Sequence, residues 1–383
     1  MTANTLKIRD DHQPLRFTAE GDAFKLEDSS QAAWLTGKTF GRKELRNRIE
    51  PWLTSLFQSE HLSLLAGSGL THAVHYLAAG KGAAGMSALA LSHHQTEINQ
   101  AAETAAEAAG REKGNLEDQL RVANELLRGL EILQQKTAAE ALRTELQTGM
   151  QDFAKSILKS EEGIASAAED KREEAFNTLV TFLMSFASRT GVRDRLNIFT
   201  TNYDRLIEAG AELAGLHLLD RFLGKLMPIF RSSRLDLDMH YNPPGIRGEP
   251  RYLEGVARYT KLHGSVDWVQ TGKDIRRIGL PFGATSVEPY LQAPGLSGAS
   301  AHELRIYPNA AKDRETADYP YVELFRDLAA AVCRPNSTLV TYGYSFGDEH
   351  INRVIRDMLT IPSTHLAEIS YADPLRRVMQ TSQ

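Results

Sequence analysis

The sequence predicts an α/β fold: an open parallel sheet of Rossmann type, interrupted by a large helical insertion. Three observations predict it. Short apolar runs at 61–65, 196–199, 259–262, 338–342 and 367–371 each end in a turn of small or polar residues, and most lead into a helical pattern. Strand, polar turn, helix, repeated, is the grammar of a parallel sheet. Between the first two runs, from about 70 to 188, Ala, Glu, Gln and Leu dominate, and no proline occurs between Pro51 and Pro228. Finally, 383 residues with 42% apolar and 24% charged side chains make an ordinary globular chain, long enough to bury its core without staples.

The elements follow in order. Residues 1–60 read as an N-terminal helical extension, polar and mixed to about 45, with a helix from Arg42 to Ser59. His61 to Leu65 is a buried strand that stops at Gly67 and Gly69. Residues 61–85 and 190–383 are assigned to the sheet domain and 86–189 to the inserted helical subdomain. Within the insertion Leu116, Leu120, Ala123, Leu127 and Leu130 follow a 4-3-4-3 spacing, so they share one stripe of a helix. Such a stripe packs either within the chain or on a partner. Residues 231–257, rich in Arg, Pro and Gly, read as an extended connection.

Composition removes several classes of function. A net charge of −5 gives no basic excess to displace counterions, so direct nucleic-acid binding is not expected. No apolar run approaches the ~18 residues of a membrane span, and no secretory leader is read at the start, so a cytoplasmic protein is expected. The single cysteine, Cys333, allows neither an internal disulfide nor a CxxC zinc site and reads as a small core residue near the end of the helix that starts near Tyr321. His72 with His75, and His93 with Glu97, stand one helical turn apart, but no third ligand follows at useful spacing, so no metal site is expected. The acidic and basic run from Glu161 to Glu174 reads as a solvated helix face.

In open parallel sheets ligands sit beyond the carboxyl ends of the strands. Four turns there carry the candidate chemistry: Gly67-Ser68-Gly69-Leu70-Thr71, Thr200-Thr201-Asn202-Tyr203-Asp204, His263-Gly264-Ser265 and Gly343-Tyr344-Ser345. The glycines let backbone approach a pyrophosphate at a helix N-terminus, although a tight turn explains a lone Gly-Ser-Gly equally well. Thr201 with Asp204, and Ser345 with Asp348, also have the spacing of a helix capping box.

Together and in this order the four turns resemble the sirtuin signature: the glycine motif, the TQN-I-D motif, the catalytic HG and the GTS. The TTNYD and GYSFGDEHIN versions are closer to sirtuin-like domains of bacterial antiphage defence systems than to protein deacylases. The size and helical insertion resemble the sirtuin-like subunit that pairs with a HerA-type hexameric ATPase. The motif-bearing parts, about 61–75 and 196–373, cover roughly half the chain. Deacylases carry two CxxC pairs of a zinc ribbon and an Asp-Phe-Arg after the glycine motif. Here there is one cysteine, and His72-Ala73-Val74 stands instead. The resemblance therefore implies a sirtuin-like NAD-binding core without zinc that consumes NAD+ as substrate, with water as acceptor: an NAD+ glycohydrolase releasing nicotinamide and ADP-ribose. It further implies NAD depletion in antiphage defence, a homo-oligomer, and a complex with the ATPase.

Carried over by the match, Asn202 holds the nicotinamide ribose and places the attacking water, and His263 orients the ribose hydroxyls or acts as general base. Gly67, Ser68, Gly69 and Thr71 cradle the pyrophosphate, Gly343 and Ser345 close the other side, and Thr201 and Asp204 complete the NAD set. Asp373 is the candidate for the adenine-side ribose. Two other readings stay open: a zinc-free protein deacylase, and an NAD or ADP-ribose sensor or assembly subunit without turnover.

Overall fold

The computed structural model describes residues 4–8, 11–85, 88–108, 114–189, 194–232, 238–242, 248, 251–296, 304–306, 319–371 and 378. The chain begins with a four-stranded antiparallel sheet: β1 (Asn4–Leu6), β2 (Leu15–Glu20), β3 (Ala23–Leu26) and β4 (Thr39–Gly41). The part of the expected helical extension before Arg42 thus carries strands in place of helix. Its core is Leu15, Phe17, Leu26 and Phe40, with Phe17 edge-on to both Phe24 and Phe40. The helix α1 (Arg42–Phe57) follows where the sequence places it.

The central sheet is six-stranded and parallel throughout. Its strands are β5 (His61–Ala66), β6 (Leu196–Thr200), β7 (His217–Leu219), β12 (Val256–Lys261), β16 (Ser337–Tyr342) and β17 (His365–Ile369), in the order β17-β16-β5-β6-β12-β7. The central strands are buried on both faces, which is why they read as apolar runs and not as alternating ones. Register sets up the site. Ile369, Tyr342, Ala66, Thr200 and Lys261 stand side by side across five strands, so the turns that follow four of them emerge at one level.

One face is covered by α2 (Ser68–Ala79), α6 (Glu169–Ala187) and α7 (Leu206–Ala214), packed on Leu64, Ala66, Ile198 and Val340. The other carries α8 (Tyr321–Val332) and α9 (Glu349–Leu359), packed on Leu65, Phe199 and Leu339. The connection expected at 231–257 carries the short pair β10 (His240–Tyr241) and β11 (Arg251–Tyr252), and the chain on either side of it builds further strands: β8 (Phe222–Leu223), β9 (Ile229–Phe230), β13 (Gly264–Thr271) and β14 (Asp274–Arg277). With β15 (Leu304–Ile306), four of these form a second sheet of order β15-β13-β14-β9-β8. Gly264 and Ser265 therefore open a strand, and Leu262 and His263 are the two residues between β12 and β13.

The insertion consists of α3 (Gln95–Ala108), α4 (Leu116–Ile132), α5 (Lys136–Ala165) and α6. Its leucine stripe packs inside the chain: Leu116, Leu120, Ala123 and Leu130 are buried, Leu127 packs beside them, and Val266 and Val269 of β13 share that core. The insertion is not a separate body, because α6 lies on α2 and α7. Gly210 of α7 makes this possible, since a Cβ there would stand 2.7 Å from Leu179 Cδ2.

Glu161, expected on a solvated face, is only 1% exposed. Its carboxylate accepts from the Arg205 backbone N–H at 2.7 Å and from Nε at 3.2 Å, and also pairs with Nη2. The guanidinium donates onward to the carbonyls of Leu280 and Pro281. Burial pushes the Glu161 carboxyl up, and Arg205 pulls against it. Removing one partner of a buried pair strands the other charge. Glu161→Ala is therefore expected to cost ~3–5 kcal/mol by denaturant unfolding. A loss below about 1 kcal/mol, the range of a solvated pair, would refute this.

Candidate active site

The switch point of the sheet lies between β16 and β5, where strand order reverses. Here two turns touch backbone to backbone. A Cβ on Gly67 would stand 2.5 Å from the Gly343 carbonyl oxygen, and one on Gly69 would stand 2.6 Å from Gly343 Cα. Gly343 has φ +60°, the left-handed region that favours glycine. The N–H groups of Gly67 and Gly69 donate to the carbonyls of Tyr342 and Gly343 at 2.9 and 3.0 Å. Both glycine N–H groups are thus used to join the two turns. Ser68, between them, lines the cavity at the start of α2.

Asn202 is buried directly across from this junction. Its Nδ2 donates to the Gly67 carbonyl and to Thr71 Oγ1, both at 3.0 Å, and its backbone N–H donates to Thr200 Oγ1 at 3.0 Å. Thr71 Oγ1 in turn donates to Asp204 Oδ2 at 2.6 Å, while Asp204 Oδ1 accepts from the N–H of Leu206, first residue of α7. Asp204 thus meets the first N–H of that helix from the position before its N-cap, Arg205, and Thr201 is not the cap that a Thr201–Asp204 box requires. Thr201 donates its N–H to the Ala66 carbonyl at 3.3 Å and lines the cavity. With both amide hydrogens of Asn202 committed, Oδ1 is the polar atom left for a ligand, and it can only accept.

His263 is buried, and its Nε2 lies 2.7 Å from Asp348 Oδ2. Asp348 is also the N-cap of α9, its Oδ1 accepting from His350 N–H at 3.1 Å. The spacing that marks Ser345 and Asp348 as a capping box thus resolves differently: Asp348 is the cap itself, and Ser345 lines the cavity. An imidazole held by a carboxylate has a fixed orientation. The sequence offers Asp348 only as a capping residue, because nothing in a single chain marks contact with a position 85 residues earlier.

The cavity, about 640 Å³, is walled on one side by the insertion. Asn115 and Glu117 at the start of α4, and Phe153, Ser156, Ile157 and Ser160 on α5, line it together with Ala83, Ala84 and Gly85. Tyr203 joins floor to roof. Its hydroxyl donates to Glu117 Oε1 at 3.1 Å, its ring meets Phe153 edge-on at 5.5 Å, and its centroid lies 6.2 Å from that of His263. Burial, with Glu117 adding to it, pushes the Tyr203 hydroxyl far above its ordinary value, so it stays a neutral donor. None of these roof residues belongs to a motif.

The structure thus brings Gly67, Ser68, Thr71, Thr201, Asn202, Asp204, His263 and Ser345 to one cavity wall. Gly69 and Gly343 stand behind it as the junction. Asp373 lies outside the described residues. Of the paired histidines, His72 lines the cavity, while His75 and His93 are engaged elsewhere. His75 Nδ1 lies 2.8 Å from the Lys81 carbonyl, and His93 Nδ1 lies 2.6 Å from Glu145 Oε1. Among the described residues no group of three His, Cys, Asp or Glu side chains is placed to hold a metal ion, and no helix is long and apolar enough to cross a membrane.

The Thr71 hydroxyl is the link between Asn202 and Asp204, and Val copies its shape without its hydrogen bonds. Thr71→Val is expected to cost ~1–3 kcal/mol by leaving an amide hydrogen and a carboxylate oxygen unmet. Chemical denaturation measures this, and an unchanged midpoint would show that the relay contributes nothing.

Comparison with known proteins bears on the segment that carries three of the four turns. No curated protein matches the chain. Residues 196–377 match the family model of the SIR2-like domain, a segment that contains the Asn202, His263 and Ser345 turns but not the glycine turn after β5. The α/β parallel sheet with its strand-end site and the matched segment together identify a sirtuin-like domain, of a kind associated with NAD, as what this part of the chain is similar to.

Proposed function

We propose that the protein is an NAD+ glycohydrolase, cleaving NAD+ to nicotinamide and ADP-ribose. The observation that carries this reading is Asn202. Its amide hydrogens are pinned by Gly67 and Thr71, its oxygen is left to accept, and the same cavity holds an imidazole oriented by a carboxylate. In the reaction the bond between the ribose anomeric carbon and the nicotinamide nitrogen breaks, and its electron pair leaves with the ring. Water then forms the new bond to that carbon and releases a proton.

Each step asks for something the cavity offers. Asn202 Oδ1 accepts a hydrogen bond from the ribose or from the attacking water and so fixes its place, which is catalysis by positioning. His263 takes the released proton, and Asp348 stabilises the imidazolium that results. The start of α2, with Ser68 and Thr71 at the junction, offers the positive end of a helix dipole to the diphosphate. Asp204 acts one bond away, holding Thr71 and so the Asn202 amide.

The biological setting, NAD depletion in antiphage defence by a homo-oligomer acting with a HerA-type hexameric ATPase, is part of the proposal and is supported by the resemblance of the strand-end motifs.

The test is incubation of NAD+ with the purified full chain, alone and with a HerA-type ATPase, separating products for wild type, Asn202→Ala and His263→Ala. Nicotinamide plus ADP-ribose is expected from wild type and none from Asn202→Ala, with His263→Ala slower by ~10²–10⁴-fold. Equal turnover by Asn202→Ala would refute the site. Product that forms only when acylated peptide is supplied would make the protein a deacylase, and NAD+ binding without product under both conditions would make it a sensor.

A further inference from the structure

Glu117 has no place in the strand-end signature, yet it is the cavity carboxylate least engaged by the protein itself. Three carboxylates line the cavity. Asp204 accepts from Thr71 and from the Leu206 N–H, and Asp348 is paired with His263 and the His350 N–H. Glu117 Oε1 accepts from the neutral Tyr203 hydroxyl, and Oε2 has no partner among the described residues. No lysine or arginine lines the cavity among the described residues.

The position of Glu117 is nevertheless built. It is the second residue of α4, whose first turn is locked by a reciprocal cap: Asp118 N–H donates to Asn115 Oδ1, and Asn115 N–H donates to Asp118 Oδ2, both at 3.0 Å. The Glu117 carboxylate stands at the positive end of the α4 dipole. Tyr203, clamped against Phe153, then holds one oxygen and leaves the other to the cavity. Such a group repels a diphosphate and attracts a cation. It sits over Tyr203, whose ring neighbours His263 and whose chain neighbour is Asn202.

We propose that Glu117, carried in by the inserted helices, recognises the positive charge of the oxidised nicotinamide end of NAD+. The cavity thereby distinguishes NAD+ from its reduced form, whose ring is neutral. This rests on the reading that the cavity takes NAD+ with its nicotinamide end beside Asn202 and His263. As the glycosidic bond breaks, positive charge moves from the ring to the ribose carbon, and a fixed carboxylate beside that end stabilises it there too.

The test is a binding ratio. Titration calorimetry with NAD+ and with NADH uses the full chain carrying Asn202→Ala, so that NAD+ survives, with and without Glu117→Gln. Gln keeps an oxygen for Tyr203, so the melting temperature should hold. The Kd for NAD+ is expected to rise about tenfold and that for NADH to stay within about threefold, as loss of one partly screened charge pair would give. Equal weakening of both ligands, an unchanged ratio, or no NAD+ binding at all would overturn the assignment. Product formation by the wild-type chain reports separately on the hydrolase reading. A shifted ratio without product leaves Glu117 assigned and the hydrolase wrong, while product with an unshifted ratio does the reverse.

Discussion

The backbone contact of Gly67 and Gly69 with Gly343 is the constraint on which the rest of the site depends. Two parallel strands, β5 and β16, normally diverge as their chains turn away in opposite directions at a switch point. Here the turns stay in contact because no Cβ separates them. Two hydrogen bonds then join them, Gly67 to Tyr342 and Gly69 to Gly343. Gly67 therefore has one position, and its carbonyl is the acceptor that fixes the Asn202 amide. A side chain at any of the three glycines would shift an acceptor two contacts away from the change.

From that junction the polar groups form a chain in which each member fixes the next. Gly67 and Thr71 hold Asn202, Asp204 holds Thr71, and Leu206 N–H with the buried Lys261 holds the Asp204 segment, Lys261 Nζ donating to the Asp204 carbonyl. Buried polar groups must be met by partners or they cost free energy. Satisfying them here leaves little freedom at Asn202. The shared register of β5, β6, β12 and β16 delivers these residues to one level without any long loop, so the site inherits the stiffness of the sheet.

The sheet strands were legible because burial on both faces makes them apolar runs, and the turns were legible because they hold glycine, asparagine and histidine where runs stop. Other parts left no such trace. Phe222–Leu223 and Ile229–Phe230 are two-residue strands, too short for any period to register. Leu15 and Phe17 do alternate with exposed residues, but over a single pair, so the first sheet was read as polar chain. Glu161 stands among charges that are solvated, and only its meeting with Arg205, 44 positions later, removes it from water. Asp348 has the same history. Its local signal was a cap, which it is, and its longer reach to His263 is a property of the fold.

The insertion interrupts the chain between β5 and β6, the two strands whose ends carry Gly67 and Asn202, and it returns to the very turn it postpones. Three contacts tie it there: Glu161 with Arg205, Glu117 with Tyr203, and Phe153 with the Tyr203 ring. All three fall within four residues of sequence, Asn202 to Arg205. A buried ion pair contributes little net stability compared with apolar packing, but breaking it is costly, so its effect is to hold a geometry. The roof and the Asn202 turn are therefore mechanically one unit. The helices that carry none of the motifs thus hold the Asn202 turn from the side opposite the sheet.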